Sequence, residues 1–450
     1  MGQFMKKRVI YGLLFVVLSF NLFVGAQVYL DNAEAADKND VYRNLELFSR
    51  VLERVRKEYV DGQNLTYQEL IYGALRGMIS TLDPHSEFME PTKYDELRKD
   101  TEGSFGGVGI TIGLRDNYLT VIAPMEDTPA FKAGIMPGDR IVKIEGHSTE
   151  KLNLTDAVKR LRGEPDTDVT ITLFRPSSNQ LRDVKLTRTV IKVDTVKDIN
   201  DKREFPISEN HIGYVRLTQF NEPTATDLES ALKKLEAQGM QGLIIDLRGN
   251  PGGLLEQAFK VCEKFLPRNQ LIVSTEGRTA AMRSEYRSTG REQHANIPMV
   301  VLVNGGSASA SEIVSGCLQD TKRAVIVGEQ TFGKGSVQSI LPLADGSALR
   351  LTTAKYYTPS HKVIHEKGIT PDIVIPMSAE EEEALFFKRN GATDALDDER
   401  RERVKNAHDV QLERSMDLLK GITLYTHRSN ANEKQPIIKS AKLGAETKTE

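Results

Sequence analysis

The stretch GLIIDLRGNPGG, residues 242–253, gives the strongest indication of the fold. Its first half is a short apolar run that ends at Asp246, and its second half is a glycine-rich turn. An apolar run bounded by such a turn is typical of a buried strand that leads into a loop and a helix. The glycines also let main-chain N–H groups face a ligand without a Cβ atom in the way. The alternative is a tight turn with no function beyond connecting the strand to the helix.

Strands and helices alternate along the chain on both sides of this stretch. Further apolar runs of strand length are IGYVRL at 212–217, MVVLV at 299–303 and AVIVG at 324–328. Helices are predicted after Thr226, after Gly253 and near Ser309. The first of these has a capping-box pattern, Thr226 with Glu229, and a stop signal at Gly239. Near-continuous apolar strands that alternate with helices predict an α/β fold whose sheet is covered on both faces.

The composition narrows the class of protein. The chain has 450 residues, enough for about two to four modules. Its 60 Lys and Arg nearly balance 63 Asp and Glu, for a net charge of -3, so it has no excess of positive charge to attract nucleic acid. The content of Gly, Pro and Cys excludes collagen-like and disulfide-dense proteins.

The N-terminus has the pattern of an export signal. Lys6, Lys7 and Arg8 precede an apolar run over residues 9–26. We therefore expect residues 1–36 to form a signal peptide or an N-terminal membrane anchor, and the sequence leaves these two alternatives open. The protein is expected to be exported, either to the periplasm or to the membrane surface that faces away from the cytoplasm.

Changes in pattern divide the rest of the chain into five regions. In chain order they are an N-terminal helical region (37–100) with helices at Asn44–Tyr59 and Tyr67–Leu82, a strand-rich module (101–190), an α/β core (191–378), a C-terminal helical region (379–428) with a helix at Val410–Leu419, and a disordered polar tail (429–450). The module at 101–190 is small and of α+β type, since short alternating runs are separated by Gly, Pro and Asp.

The segment NGGSASASE, residues 304–312, offers three hydroxyl groups where a strand gives way to a helix. Any of Ser307, Ser309 and Ser311 is a candidate nucleophile, because the N–H groups at a helix start favour a developing oxyanion. Ser309 and Glu312 also form a capping-box pattern. Ser309 therefore has an alternative interpretation as a helix cap.

The segment GEQTFGKGSVQ, residues 328–338, nearly matches a phosphate-binding loop, since Gly328, Gly333 and Lys334 fit GxxxxGK. The match fails at Gly335, where a Ser or Thr would hold Mg²⁺, and the residues that follow alternate as in a strand. A P-loop NTPase is therefore disfavoured.

Lys334 has a second interpretation, as a general base. Burial among glycines and apolar residues would favour the neutral form of its amine. If Lys334 lies on a strand, alternation places it on one face with Ser336 and Gln338, whose amide would orient the amine. The alternative is a charge in solvent on a loop.

Neither cysteines nor histidines form a recognisable metal site. Cys262 and Cys317 lie in apolar helical contexts and are predicted to be buried free thiols, although an exported protein would permit a disulfide. His361 and His365 lack the HExxH order and are interpreted as an incidental surface pair. No metal and no organic cofactor is expected.

Seven motifs together resemble those of one family, the C-terminal processing peptidases, also called tail-specific or carboxyl-terminal proteases. The motifs are LDPHSEF (82–88), GGVGITI (106–112), AGIMPGDRI (133–141), DLRGNPGG (246–253), NGGSASASEI (304–313), GEQTFGKGSVQ (328–338) and GITPDI (368–373). The similarity spans about residues 40–375. It implies a serine endopeptidase with a crotonase-like core, in which the module at 101–190 is an inserted PDZ domain.

The resemblance assigns roles to residues in these motifs. It implies that Ser309 is the nucleophile, Lys334 the general base and Gln338 the residue that positions the lysine. It also implies an oxyanion hole made by main-chain N–H groups, those of Gly252 or Gly253 and of Ala310.

The same resemblance implies how substrates are bound. Polypeptides would dock through their C-termini, adding a strand to the PDZ domain while its loop at Gly107, Val108, Gly109 and Ile110 receives the terminal carboxylate. Such a module often gates the active site in this family, and the resemblance implies that the helices at Asn44–Tyr59 and Val410–Leu419 take part in a homodimer. A regulatory or adaptor protein remains open as a further partner. The alternative function is that of a PDZ-based binding or adaptor protein without turnover.

Overall fold

The computed structural model describes residues 41–62, 65–115, 118–125, 128–176, 178–290, 294, 297–390 and 398–433. Its contacts divide the chain into two compact units, Met1–Phe88 and Met89–Glu450. The predicted leader at 1–36 lies outside the described residues, and so does the end of the predicted tail, 434–450. In the described part of the chain, no helix combines the length and the hydrophobicity needed to cross a bilayer.

The first unit contains two helices, α1 at residues 41–58 and α2 at Tyr67–Ser80. Both predicted N-terminal helices are therefore confirmed. α2 begins at a capping box in which Thr66 Oγ1 accepts from the Glu69 N–H at 3.1 Å and the Thr66 N–H donates to the Glu69 carboxylate at 2.8 Å. Strand β1, Glu87–Met89, follows at the boundary between the two units.

The second unit begins with helix α3, Pro91–Thr101, and a small strand-rich module. The strands of the module are β2 Ser104–Gly107, β3 Ile110–Arg115, β4 Tyr118–Pro124, β5 Arg140–Ile144, β6 His147–Ser148, β7 Asp168–Arg175, β8 Gln180–Thr187 and β9 Thr189–Lys192. Its helices are α4 Pro129–Lys132 and α5 Leu154–Leu161. The main sheet is antiparallel in the order β3-β4-β5-β7-β8, with β6 paired to β5, while β2 pairs with β9. The module has its own apolar core.

The α/β core follows. Its strands are β10 Val196–Lys197, β11 Ile212–Leu217, β12 Gly242–Asp246, β13 Leu271–Gly277, β14 Ser284–Arg287, β15 Met299–Val303, β16 Val325–Gly328, β17 Ser336–Pro342, β18 Ala348–Tyr357 and β19 Ile373–Val374. Its helices are α6 Thr224–Ala237, α7 Leu255–Glu263 and α8 Ala310–Asp320. One sheet has the order β10-β11-β12-β15-β16-β19 and is parallel except at β10. In a second sheet, β13 pairs with β14 and β18, and β17 pairs with β18, all antiparallel.

The parallel sheet is covered on both faces, as its continuous apolar strands predict. Every residue of β12 and β15 is buried. Leu243 and Ile245 of β12 belong to a core cluster shared with α6, α7 and α8, whereas Ile244 belongs to a second cluster that includes Leu419. Leu419 lies on the long C-terminal helix described below, so helices pack against both sides of the sheet.

The carboxyl ends of the parallel strands bring three of the predicted motifs to one edge of the sheet. β12, β15 and β16 run parallel, with Asp246 opposite Leu302 and Val303 opposite Gly328. The loops that follow them therefore start side by side, as is usual for sites in α/β proteins. These loops are residues 247–254, 304–309 and 329–335.

The C-terminal region is helical, with α9 at Ala379–Asn390, α10 at Asp398–Lys405 and α11 at Val410–Glu433. The helix predicted at Val410–Leu419 is present but longer. Because α11 continues to Glu433, the first five residues of the segment predicted to be a disordered tail are helical.

The predicted start of α6 is wrong by two residues. The helix begins at Thr224 with Pro223 at the cap position, so Thr226 is not the N-cap. The Glu229 carboxylate, expected to complete a capping box, instead accepts a hydrogen bond from Lys264 at 2.9 Å. The predicted stop at Gly239 is correct, since Gln238 caps the helix and Gly239 has a positive φ of 82°.

Candidate active site

Ser309 occupies a strained position between β15 and α8. Its backbone has φ 54° and ψ -111°, a conformation that non-glycine residues rarely adopt. Such strain is retained where the surrounding structure fixes it, which is common at functional sites. The residue itself is only half-buried, so its side chain is accessible from the loop edge of the sheet.

The three candidate hydroxyls differ in their hydrogen bonds. Ser307 Oγ donates to the Leu247 carbonyl at 2.8 Å, and Ser311 Oγ donates to the Asn250 carbonyl at 2.9 Å; both serines are fully buried. They hold the loop after β12 against the loop after β15. Among the described residues, Ser309 Oγ donates to no buried carbonyl and only faces the main-chain N–H of Glu312 in a capping-box arrangement. Ser309 is therefore the hydroxyl available for chemistry.

The Glu312 carboxylate joins the nucleophile segment to the loop that carries Lys334. It is fully buried and accepts the Ser309 N–H at 2.9 Å and the Lys334 N–H at 2.9 Å on the same oxygen, Oε2. Its other oxygen accepts the Gly333 N–H at 2.7 Å and the Thr331 hydroxyl at 2.6 Å. The main chains of Ser309 and Lys334 consequently lie side by side.

The capping interpretation of Ser309 is thus partly correct. Ser309 precedes α8, and its N–H donates to the Glu312 side chain as in a capping box. The same carboxylate also holds residues 331–334 from another loop. Capping and the placement of Ser309 beside Lys334 are therefore performed by one side chain.

Glycines at 252 and 253 let the loop after β12 approach Ser309 closely. A Cβ atom on Gly252 would lie 2.8 Å from Ser309 Cβ and 2.9 Å from the Ala310 nitrogen. On Gly253 it would lie 2.2 Å from the Phe220 carbonyl oxygen. Both residues have positive φ, 101° and 147°, which favours glycine.

Of the predicted oxyanion donors, the Gly252 N–H already donates a hydrogen bond within its own loop. This N–H group donates to Asn250 Oδ1 at 2.9 Å, and Asn250 is itself fully buried and donates to the Leu217 carbonyl at 2.7 Å. Within the described part of the chain, the N–H groups of Gly253 and Ala310 have no hydrogen-bond acceptor. The geometry therefore leaves Gly253 and Ala310 as the pair that an oxyanion near Ser309 can use.

Lys334 is half-buried beside this loop. Burial, and after it the positive charge of Arg350, lowers the pKa of the Lys334 ammonium below that of an ordinary lysine. Among the described residues, its side chain forms no salt bridge, and it makes no hydrogen bond with Ser309 Oγ.

The predicted shared face holds for Ser336 and Gln338, whose side chains bond to each other, but not for Lys334. β17 begins only at Ser336, so its alternation does not extend to Lys334, and the pairing with β18 shifts between Val337 and Gln338 because β18 has one extra residue there. The Gln338 amide donates to Ser336 Oγ at 2.8 Å and to Thr352 Oγ1 at 3.4 Å. Gln338 therefore does not contact Lys334 in this arrangement.

The strand after Lys334 also argues against the phosphate-loop interpretation. A P-loop leads into a helix, whereas Gly335 here leads into β17. A Cβ atom at Gly335 would lie 2.1 Å from the His365 main-chain nitrogen, so this glycine serves close packing of the main chain.

A buried ion network supports the loop after β12. Arg248 donates to Asp246 at 2.6 Å and to both oxygens of Asp409 at 2.8 Å, and Tyr214 donates to Asp246 at 2.6 Å. Burial raises the pKa of Asp246, but the Arg248 guanidinium more than offsets this, so the net pKa lies well below its usual value. Asp409 precedes α11, so the C-terminal region contributes directly to this support.

The sequence does not identify three residues that support the site. They are Glu312 in its role as a link between loops, Asn250 and Asp409. The capping-box pattern at Ser309 was a signal for Glu312, but only for its local contact. Nothing in the spacing signals the contact of Asp409 with Arg248, since the two are far apart in the chain.

The two cysteines and the histidines at 361 and 365 lie in different surroundings. Cys262 and Cys317 are buried free thiols, as predicted. His361 is exposed and stacks on Tyr357 with ring centroids 4.6 Å apart. His365 packs with its main chain against Gly335, as described above. The described residues contain no cluster of His, Cys, Asp and Glu suited to a metal ion.

The predicted carboxylate-binding loop precedes an edge strand of the small module. β3 pairs only with β4 in the main sheet, and α5 packs beside it. Val108 is buried, and Gly109 has φ 76° with no room for a Cβ atom beside Thr128. Within the described residues, β3 thus offers an unpaired strand edge, as strand addition by a peptide requires.

Comparisons with known proteins agree with both parts of this arrangement. The sequence profile of peptidase family S41 matches residues 211–375, and that of the PDZ domain matches residues 120–175. The carboxy-terminal-processing protease of Bartonella bacilliformis is 44% identical over 375 residues, 82% of this chain and 83% of that protein. The carboxyl-terminal-processing protease of a Synechocystis species is 36% identical over 437 residues, 93% of this chain and 96% of that protein.

One solved structure, a photosystem II D1 C-terminal processing protease, aligns with 33% identity over 73% of this chain and 92% of that chain. The TM-score of that alignment is 0.43.

Proposed function

Because this chain belongs to the carboxy-terminal processing proteases of peptidase family S41, we propose that it cleaves polypeptides near their C-termini with a Ser309–Lys334 dyad. The observation that carries this proposal is the shared Glu312 oxygen, which receives the main-chain N–H groups of both residues at 2.9 Å. No other serine of the NGGSASASE segment has a hydroxyl available at this edge, since Ser307 and Ser311 donate to buried carbonyls.

The first step is nucleophilic attack. The neutral Lys334 amine removes the Ser309 hydroxyl proton while Oγ forms a bond to the scissile carbonyl carbon. The carbonyl oxygen becomes an oxyanion, which accepts hydrogen bonds from the N–H groups of Gly253 and Ala310. The positive end of α8 lies at the same place and further favours this negative charge.

The second step releases the C-terminal product. The tetrahedral intermediate collapses as the C–N bond breaks, and the Lys334 ammonium returns its proton to the leaving amine. Lys334, again neutral, then removes a proton from a water molecule that attacks the acyl-enzyme ester. Collapse of the second intermediate transfers a proton back to Ser309 Oγ and releases the new carboxyl terminus.

The ionisation of Lys334 sets the pH dependence of this mechanism. The reactive form is the free amine, so the rate rises with pH as the ammonium loses its proton. The lowered pKa of Lys334 moves that rise to lower pH than for a lysine in solvent. The Gln338 amide nitrogen is held by Ser336 and Thr352, and we propose that its amide oxygen orients the Lys334 amine when substrate is bound.

Substrate docking on the PDZ domain completes the proposal. A C-terminal tail adds as a strand to the free edge of β3, and its carboxylate meets the loop at residues 107–110. Docking raises the local concentration of the adjoining chain at Ser309. Closure of this domain over the site on docking would gate the chemistry, and we propose that the enzyme is exported by its N-terminal segment and works as a homodimer.

The test is to incubate the protein with an unstructured polypeptide, with and without an apolar C-terminal tail, and to analyse the fragments by mass spectrometry. We expect Ser309→Ala and Lys334→Ala to lose turnover by at least about 100-fold while still binding the tail. Lys355→Ala, which removes an exposed lysine of β18, is the matched control and should cleave normally. Equal cleavage by Lys334→Ala would exclude the dyad. Binding without turnover by the wild type would instead favour an adaptor role.

A further inference from the structure

Phe332 is an exposed aromatic side chain on the loop that carries Lys334. Its side chain is 64% exposed, the largest value among the large apolar residues described between 191 and 378. A single exposed apolar residue needs no explanation in general. The surroundings of Phe332 are unusual because they fix the main chain on both sides and leave only the ring in solvent.

The loop around Phe332 is held at consecutive residues. The Thr331 hydroxyl and the Gly333 N–H donate to Glu312, at 2.6 and 2.7 Å. The Phe332 N–H donates to the Ser307 carbonyl at 3.0 Å, and the Gly333 carbonyl accepts from the Glu366 N–H at 2.8 Å. The outward direction of the ring is therefore set by the fold and is not a consequence of a loose loop.

The same bonds place Phe332 at the active site. The Ser307 carbonyl that it binds belongs to the residue two positions before Ser309, and Lys334 follows two positions after Phe332. Gly305 and Gly306, in the loop that leads to Ser309, are exposed, and a Cβ atom on Gly305 would meet no other atom within 4 Å. This loop therefore leaves room for a polypeptide that brings a carbonyl to Ser309.

We propose that Phe332 is a specificity-determining residue that packs against an apolar side chain of the bound polypeptide next to the scissile bond. The proposal rests on the peptidase function proposed above and names the substrate that this site favours. An aromatic ring held on a rigid loop contributes contact area with little loss of conformational freedom. Substrates with an apolar residue beside the scissile bond would therefore be cleaved faster than those with a polar one.

A competing role for the ring is to shield the Lys334 amine from water. Shielding would act on all substrates alike and would change the pKa that controls the rate. A specificity role acts on some substrates only and leaves the pH midpoint of kcat/KM unchanged. The two roles therefore give different results with the same variant.

The experiment uses the full chain and a series of unstructured peptides with one common apolar tail. The peptides differ only in the residues that flank the scissile bond, which are Leu, Ala, Ser or Asp. We expect Phe332→Ala to lose about 10- to 100-fold in kcat/KM for the Leu peptides and little for the Ser peptides. Phe332→Leu should retain most of the preference. Phe386→Ala, which removes an equally exposed ring (60%) from α9, is the matched control and should keep the wild-type preference.

Three results would overturn the inference: an unchanged preference in Phe332→Ala, an equal loss for all peptides, or a shifted pH midpoint of kcat/KM. Failure of the proposed function is recognised separately. In that case the wild type would cleave none of the peptides, or Ser309→Ala would cleave them as fast as the wild type.

Discussion

At the scale of single residues, the proposed dyad depends on one carboxylate and one strained serine. Glu312 accepts four hydrogen bonds without a cation partner among the described residues, and two of its donors are the main-chain N–H groups of the proposed dyad. Ser309 holds a backbone conformation suited to glycine. Both features position the reacting groups, and Glu312 can be altered without removing either the hydroxyl or the amine.

Replacement of Glu312 by glutamine tests the first feature. The amide keeps the size of the side chain, but its NH₂ group would face main-chain donors that need an acceptor. We expect kcat to fall by about 100-fold, because a displacement of about 1 Å is enough for such a loss. The free energy of unfolding should also fall by about 1–3 kcal/mol. Steady-state kinetics and denaturant titration measure the two effects, and a variant with wild-type kcat would show that Glu312 does not position the dyad.

Replacement of Ser309 by glycine or alanine tests the strain. Both variants lose the nucleophile, but only glycine accepts φ 54° and ψ -111° without strain. We expect Ser309→Gly to be more stable than Ser309→Ala by about 1 kcal/mol, within the cost of such conformations. Thermal denaturation of the two inactive proteins makes the comparison. An alanine variant as stable as the glycine variant would mean that the backbone relaxes when the hydroxyl is removed.

At the scale of elements, the site is made where three parallel strands end. Much of this was predictable, since apolar runs located β12, β15 and β16 and glycine-rich or serine-rich motifs located the loops that follow them. Contacts between loops were not predictable from local pattern. Lys334 lies before β17, so the alternation of that strand does not place it beside Gln338, and the bond between Asn250 and Gly252 removed one of the expected oxyanion donors.

Replacement of Gly252 by alanine tests the fit between the first two loops. The added Cβ atom would lie 2.7 Å from the Ala308 carbonyl oxygen and 2.8 Å from Ser309 Cβ, so one loop must move. We expect a loss of at least about 100-fold in kcat, comparable to the loss of one oxyanion donor. The far-ultraviolet circular dichroism spectrum should remain that of the wild type. Unchanged turnover would show that this close approach is not needed for catalysis.

At the scale of the whole molecule, the C-terminal region supports the active-site loop after β12 through Asp409, the residue just before α11. Asp409 accepts two hydrogen bonds from Arg248, which in turn binds Asp246 at the end of β12. Burial raises the pKa of Asp409, but the hydrogen bonds from Arg248 outweigh it and leave the pKa lowered. This carboxylate therefore stabilises the fold above its unfolded-state pKa, and the contribution is lost as the pH falls through the folded-state pKa.

Replacement of Asp409 by asparagine tests this support. The variant leaves Arg248, only 6% exposed, with one carboxylate partner fewer, so we expect a loss of about 3 kcal/mol in stability at neutral pH. The difference from the wild type should begin to shrink on acidification below about pH 4, where the carboxyl is protonated in the unfolded state, and should vanish as the pH falls through the lower folded-state pKa. Denaturant unfolding of both proteins at several pH values measures this difference in stability. A difference that is independent of pH would assign the effect to packing and not to charge.

The most direct test of the Ser309–Lys334 mechanism is to titrate Lys334 itself. Lysine labelled with ¹³C at Cε, with Lys334→Arg for assignment, gives the pH at which the amine loses its proton by NMR, and kcat/KM is measured over the same pH range. We predict one midpoint for both curves, below the usual pKa of lysine. Full protonation of Lys334 at a pH where the enzyme already cleaves peptides at its maximal rate would contradict the account.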